Sequence, residues 1–138
     1  MEEKQYVIFG LGDQEFGIDI MSVQEIIRPL KTTKLPNSPP HVLGVFNLRE
    51  KVIPVVSLRR VLGFEDSASD EKTRVIVVKV EDRPYGLLVD IVHEVLRISS
   101  GDIEKGHDVY QDIDSRFVSG IARVEERLII LLNLSFVL

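Results

Sequence analysis

The chain has 138 residues and a formal net charge of −5 at pH 7, with 17 Lys and Arg against 22 Asp and Glu. That acidic balance excludes general affinity for nucleic-acid phosphates and a polybasic membrane anchor. The absence of cysteine excludes disulfides, thiolate nucleophiles and Cys-based zinc sites, while 44% hydrophobic residues supply material for a packed core.

The N-terminal Met1-Glu2-Glu3-Lys4 lacks the basic start and apolar run of a signal peptide, so a cytoplasmic location is expected. In chain order, Tyr6 to Phe9, Val42 to Leu48, Val52 to Leu58, Arg74 to Val80, Tyr85 to Val89 and Leu128 to Leu134 are short runs rich in aliphatic and aromatic residues. Runs of that length between turn signals predict strands. Gly12-Asp13 and Glu81-Asp82-Arg83-Pro84 are the turn signals of two hairpins, each followed by an aromatic–glycine pair, Phe16-Gly17 and Tyr85-Gly86. Met21 to Ile27 is ambiguous between helix and strand. Pro54 cannot donate a ladder hydrogen bond and predicts an edge or a bulge. One helical turn is expected near Arg59 to Leu62, ended by Gly63. The proline-rich stretch Lys34 to His41 and the acidic stretch Glu65 to Lys72 read as loops, and Ser99 to Ser115 as a longer excursion.

The chain also carries an internal repeat. Residues 44–62 match residues 120–138 without a gap at an offset of 76, with Gly44/Gly120, Glu50/Glu126, Ile53/Ile129, Leu58/Leu134, Val61/Val137 and Leu62/Leu138 identical. Upstream the offset is 69, with Phe16-Gly17 over Tyr85-Gly86 and Glu25 over Glu94. About five short strands per half favour closure into small barrels, since open sheets expose edges. A unit of about 60 residues buries too little surface alone, so the two should pack together and leave a groove between them.

No catalytic constellation emerges. His41, His93 and His107 are scattered without metal-ligand spacing, and neither a GxSxG nor a P-loop occurs. Gly10-x-Gly12 lacks a third glycine and a following helix. Asp90, His93 and Glu94 are the nearest approach to a ligand cluster. Strand alternation would turn Asp90 away from His93, so a solvated edge is the reading and a small metal-dependent enzyme the competing one. The first copy pairs Glu25 with Arg49, whereas the second places Glu94 with Glu125. An Arg–Glu pair is either an ordinary surface ion pair worth about 0–1 kcal/mol or a bidentate contact that fixes geometry.

Phe16-Gly17-Ile18-Asp19-Ile20, Val23-Gln24-Glu25-Ile26-Ile27-Arg28, Gly44-Val45-Phe46-Asn47-Leu48-Arg49 and Val52-Ile53-Pro54-Val55-Val56, with Tyr85 to Asp90 and Gly120 later, resemble the CheW chemotaxis coupling proteins. The resemblance implies an all-β fold of two intertwined SH3-like five-stranded barrels with little helix. It implies one domain over 1–138 made of two sub-barrels, about 15–65 and 73–138, with the N-terminal strand 5–11 exchanged or packed between them. It also implies a non-enzymatic adaptor without cofactor or metal, recruited from the cytoplasm to membrane receptor arrays. Its partners would be the regulatory domain of the histidine kinase CheA and the cytoplasmic tip of a methyl-accepting chemoreceptor, with no direct membrane insertion. A scaffold of another chemosensory pathway, such as surface motility, is the alternative.

Carried over by motif, Val23, Glu25, Gly44 and Arg49 fall on the family's receptor-coupling region in the first barrel. Gly86, Val95 and Gly120 fall on second-barrel positions tied to receptor or kinase coupling. Each glycine also has a backbone reading, and Val23 and Val95 a packing one. The sequence departs from the family at Glu50, where glycine usually follows the Asn-Leu-Arg run, and it ends at Leu138 without the C-terminal helix of some relatives.

Overall fold

The computed structural model describes residues 2–105 and 114–137. His107, Leu138 and the centre of the expected Ser99–Ser115 excursion lie outside the described residues.

Eleven strands form two sheets among the described residues. Strands β1 (Glu3–Leu11), β2 (Gln14–Asp19), β8 (Ile91–Ser99), β9 (Ile103–Glu104), β10 (Val118–Val124) and β11 (Arg127–Leu132) make one, in the order β8-β1-β2-β11-β10-β9. Strands β3 (Val23–Ile27), β4 (Val42–Leu48), β5 (Lys51–Ser57), β6 (Arg74–Val80) and β7 (Arg83–Val89) make the other, in the order β3-β6-β7-β5-β4. The ambiguous Met21–Ile27 segment resolves into a 3-10 turn over Ile20–Ser22 followed by β3. The helical turn is α1 (Leu58–Val61), N-capped by the Ser57 hydroxyl, with Gly63 just past its end at φ +84°. Its counterpart is α2 (Leu134–Val137).

The repeat is exact at the level of register. In β3 against β6, Val23 faces Val78 and Glu25 faces Val77 across a bulge; in β8 against β1, the repeat partners Val92 and Glu94 face Phe9 and Ile8 across the same bulge. The bulge between Val42 and Gly44 recurs between Val118 and Gly120. Even the hydrogen bond donated by the Ser57 amide to the His41 carbonyl recurs from Asn133 to Phe117, both at 2.8 Å. The hairpins are exchanged, however. The early β1–β2 hairpin lies in the sheet of the late strands, and the later β6–β7 hairpin lies in the sheet of β3 to β5. One barrel is therefore continuous in sequence from Val23 to Val89, and the other is assembled from both ends of the chain.

Pro54 lies neither on an edge strand nor at a bulge, because β5 sits between β7 and β4. Val45, its partner on β4, spends both its N–H and its carbonyl on Thr33, so the backbone of Pro54 faces the other way, towards β7. There the parallel ladder begins only at Val55, opposite Gly86, whereas the repeat ladder already includes Ile129 and Ile130 opposite Glu15 and Phe16. The missing amide of Pro54 is accommodated by starting the pairing later.

Three cores follow from this arrangement. Phe46, Ile53, Val55, Val75 and Val77 fill one barrel; Ile8, Ile98, Ala122, Ile129 and Leu131 fill the other. Phe46 and Ala122 are repeat partners, so a large side chain at the centre of one barrel is replaced in the other by a small one, with Ile98 of β8 packed in that second core. The third and largest core lies between the sheets, with Phe9, Phe16, Ile18 and Ile130 from the six-stranded sheet, Ile76, Val78 and Leu87 from the five-stranded one, and Leu58 from α1. Phe9 and Phe16 stack at 5.8 Å. Truncating either to alanine would cost about 3–5 kcal/mol, so the two barrels are held together chiefly by this shared apolar seam.

Candidate docking surfaces

At the end of the continuous barrel, edge strand β3 meets the β4–β5 turn. That turn has two residues, Arg49 and Glu50, both in the left-handed region at φ +51° and +69°, between Leu48 and Lys51. The hairpin therefore adopts the tight geometry that favours glycine without having one, and Glu81 and Asp82 do the same between β6 and β7. The turn lifts the Arg49 side chain across the barrel end, where Nη1 donates to the Glu25 carboxylate. Arg49 is 73% exposed and Glu25 25%, so the guanidinium keeps most of its surface free. Ile26 on β3 and Val52 on β5 are exposed aliphatics on the strands this pair joins.

The second barrel reproduces the pattern with one displacement. Glu94 stands in the repeat position of Glu25, and Val95 and Leu128, repeat partners of Ile26 and Val52, are again exposed. The arginine comes from Arg127 instead of the position of Glu125. Its Nη1 donates to Glu94 at 3.0 Å, while Nε and Nη2 grip Glu15 at 3.0 and 2.8 Å. The sequence reading that only the first copy offers an Arg–Glu pair is thus corrected: the second has one, two positions further along the hairpin. The Arg127 hydrogen bonds hold the Glu15 carboxyl below its usual range against the opposing effect of burial, and the same contacts raise Arg127.

The remaining expected residues divide by role. Val23 is half-buried and packs against the inter-sheet core. Gly44, at φ +149°, lies so close to Thr33 that a Cβ would stand 2.2 Å from its carbonyl oxygen. A Cβ on Gly86 would meet Val75 at 2.8 Å and Phe46 at 3.0 Å; one on Gly120 would meet Ile103 at 2.7 Å. These three glycines are buried where neighbours leave no room. Gly86, expected on the second barrel, lies on β7 in the five-stranded sheet, because the hairpins are exchanged. The structure thus joins Glu25 with Arg49 and leaves Val95 exposed on the other barrel.

Two further features refine or correct the sequence reading. One is a groove of about 470 Å³ where the chain crosses from β2 to β3, lined by Lys4, Gln5, Ile20, Met21 and Arg97 among others. Met21 stands 88% exposed there, and its position within an apolar run gave no sign of this. The other is Asp90. It is not a solvated edge: Arg59 donates through Nε at 2.8 Å to Oδ1 and through Nη2 to Oδ2, and the Gly12 amide donates to Oδ2 at 2.8 Å. The Arg59 hydrogen bonds keep the Asp90 carboxyl below its ordinary range despite burial, with the Gly12 amide adding to the effect. Among the described residues no group of three or more His, Asp or Glu side chains is placed to hold a metal ion, and no helix is long and apolar enough to cross a membrane.

Comparison with known proteins places this architecture. The model of the CheW-like domain matches residues 5–138. The chain is 37% identical over 134 residues to the chemotaxis protein CheW of Rhizobium meliloti, covering 97% of this chain and 86% of that one. It is 34% identical over 137 residues to the CheW of Helicobacter pylori, covering 99% and 82%. Among solved structures, the scaffolding protein TtCheW from Thermoanaerobacter tengcongensis superposes with a TM-score of 0.92 at 36% identity, over 99% of this chain and 92% of that one. With its duplicated barrels, its paired ends and these relatives, the chain belongs to the CheW-like family and is a chemotaxis coupling adaptor.

Proposed function

We propose that this adaptor works without catalysis, by holding the cytoplasmic tip of a methyl-accepting chemoreceptor and the regulatory domain of the histidine kinase CheA together at membrane receptor arrays. The observation that carries the reading is the duplicated end surface. Each barrel presents an acid–arginine pair beside two exposed aliphatic side chains, Ile26 and Val52 on one and Val95 and Leu128 on the other. Exposed aliphatic side chains on strands that also carry a charged pair suit protein docking, with the apolar part giving affinity and the charges orientation. The groove beside Met21 adds a third surface, and exposed methionine adapts to irregular apolar faces of a partner.

In this reading Val23, Glu25, Gly44 and Arg49 serve receptor coupling, Glu25 and Arg49 by contact, and Val23 and Gly44 by shaping the strands behind them. Val95 contributes contact on the second barrel, and Gly86 and Gly120 support the strands that present it. The chain acts as one domain of two sub-barrels.

Isothermal titration of the chain with a CheA regulatory domain tests the proposal. Saturable binding, weakened when Val95 and Leu128 are both changed to Ser, is the expected result. Absence of heat and of NMR shift changes at high concentration would refute it.

A further inference from the structure

Among the described residues, the two barrels are linked covalently at two strand crossovers. One runs from β2 to β3 through Ile20–Ser22; the other runs from β7 to β8 through Asp90. By the repeat these crossings are equivalent, and Met21 stands where Asp90 stands in the other. They are nonetheless built differently. At one, Met21 is 88% exposed. At the other, the Asp90 carboxylate ties two elements, accepting from the Arg59 fork of α1 in the continuous barrel and from the Gly12 amide in the β1–β2 turn of the other barrel, and the Asp90 backbone N–H adds a bond to the Gly10 carbonyl of that same hairpin at 3.2 Å. Arg59 spends its remaining Nη1 on the Glu65 carbonyl at 2.8 Å. Both side chains are largely withdrawn from solvent, 19% and 29% exposed. The repeat position of Arg59 is Ser135 and that of Asp90 is Met21, so the Met21 crossing cannot form this contact.

The seam between the sheets is apolar, and apolar contact fixes proximity without fixing angle. A two-pronged guanidinium–carboxylate contact fixes both. We propose that Arg59 and Asp90 are positioning residues: they clamp one of the two crossovers and thereby set the angle between the barrels, leaving the Met21 crossing as the compliant side. The proposal concerns the isolated chain and holds whether or not the docking partners named above are the right ones.

The test is NMR on the free protein, comparing wild type with Asp90→Asn and Arg59→Lys. Residual dipolar couplings of the wild type should fit a single orientation for both barrels. In the variants each barrel should still fit its own coordinates while the two no longer share one orientation, and exchange of the Gly12 amide should accelerate by about tenfold, the equivalent of one charge-assisted hydrogen bond. A shared orientation retained in both variants would overturn the proposal. So would loss of fit within the barrels, or unfolding of both variants, since either would make the pair a prop of the whole fold.

Discussion

Glu94 takes its arginine from Arg127, two positions beyond the repeat partner of Arg49. The two barrel ends thus close with the same acid but from different points on the hairpin. Arg127 is gripped by two carboxylates, whereas Arg49 serves one and reaches into solvent. The two arginines should therefore fail differently when removed.

Arg49→Ala should leave stability within about 1 kcal/mol of wild type, as for other exposed ion pairs, while weakening receptor-dependent kinase activation. A thermal melt beside a reconstituted kinase assay separates the two. A collapse of the melting temperature would mark Arg49 as structural.

Arg127→Ala should cost more, about 1–3 kcal/mol, because it leaves Glu15 and Glu94 facing each other across a half-buried site without their shared cation. Urea unfolding measures this. Glu15→Gln in the same background should recover part of the loss.

Glu50→Gly should stabilise the chain by about 1 kcal/mol, since Glu50 occupies a left-handed backbone position that glycine adopts without strain. Gly44→Ala should do the opposite and cost several kcal/mol, because its Cβ would overlap the Thr33 carbonyl and force the bridge to Val45 apart. Paired denaturation curves give both signs in one experiment.

Stability should also fall in acid for a nameable reason. Arg59 holds Asp90, and Arg127 holds Glu15, below their ordinary values of 3.8 and 4.5. The unfolded chain therefore takes up protons at a pH where the folded one does not. The stabilisation is complete above those ordinary values and drains away as pH falls through the lower folded-state ones. Denaturation between about pH 3 and 6 should show this decline, and Asp90→Asn should flatten it.

The strands and hairpins were legible because each rests on local patterning. The runs Val42–Leu48 and Arg74–Val80 coincide with β4 and β6, and Gly12-Asp13 and Glu81-Asp82 close the two expected hairpins. The repeat was legible because register is inherited with sequence, down to the shared bulges. The exchange of hairpins was not, since alternation tells which face of a strand is buried and not which strand lies beside it. Pro54 misled for the same reason: its missing amide is absorbed by a later start of the ladder with β7, a partner remote in sequence. Within the site, Glu25 and Arg49 came from repeat asymmetry and family likeness. Arg127 and the Arg59–Asp90 contact did not, because each joins elements brought together only by the crossovers.

The exchanged hairpins also bear on biosynthesis. The barrel from Val23 to Val89 is complete in the nascent chain as soon as β7 clears the ribosome. The first hairpin, with Phe9 and Phe16, must meanwhile wait for β8 and β11, the last of which ends at Leu132. During that interval a half-built sheet offers unpaired edges and an apolar face to the cell. The β1–β2 hairpin is therefore translated well ahead of the strands that complete its sheet.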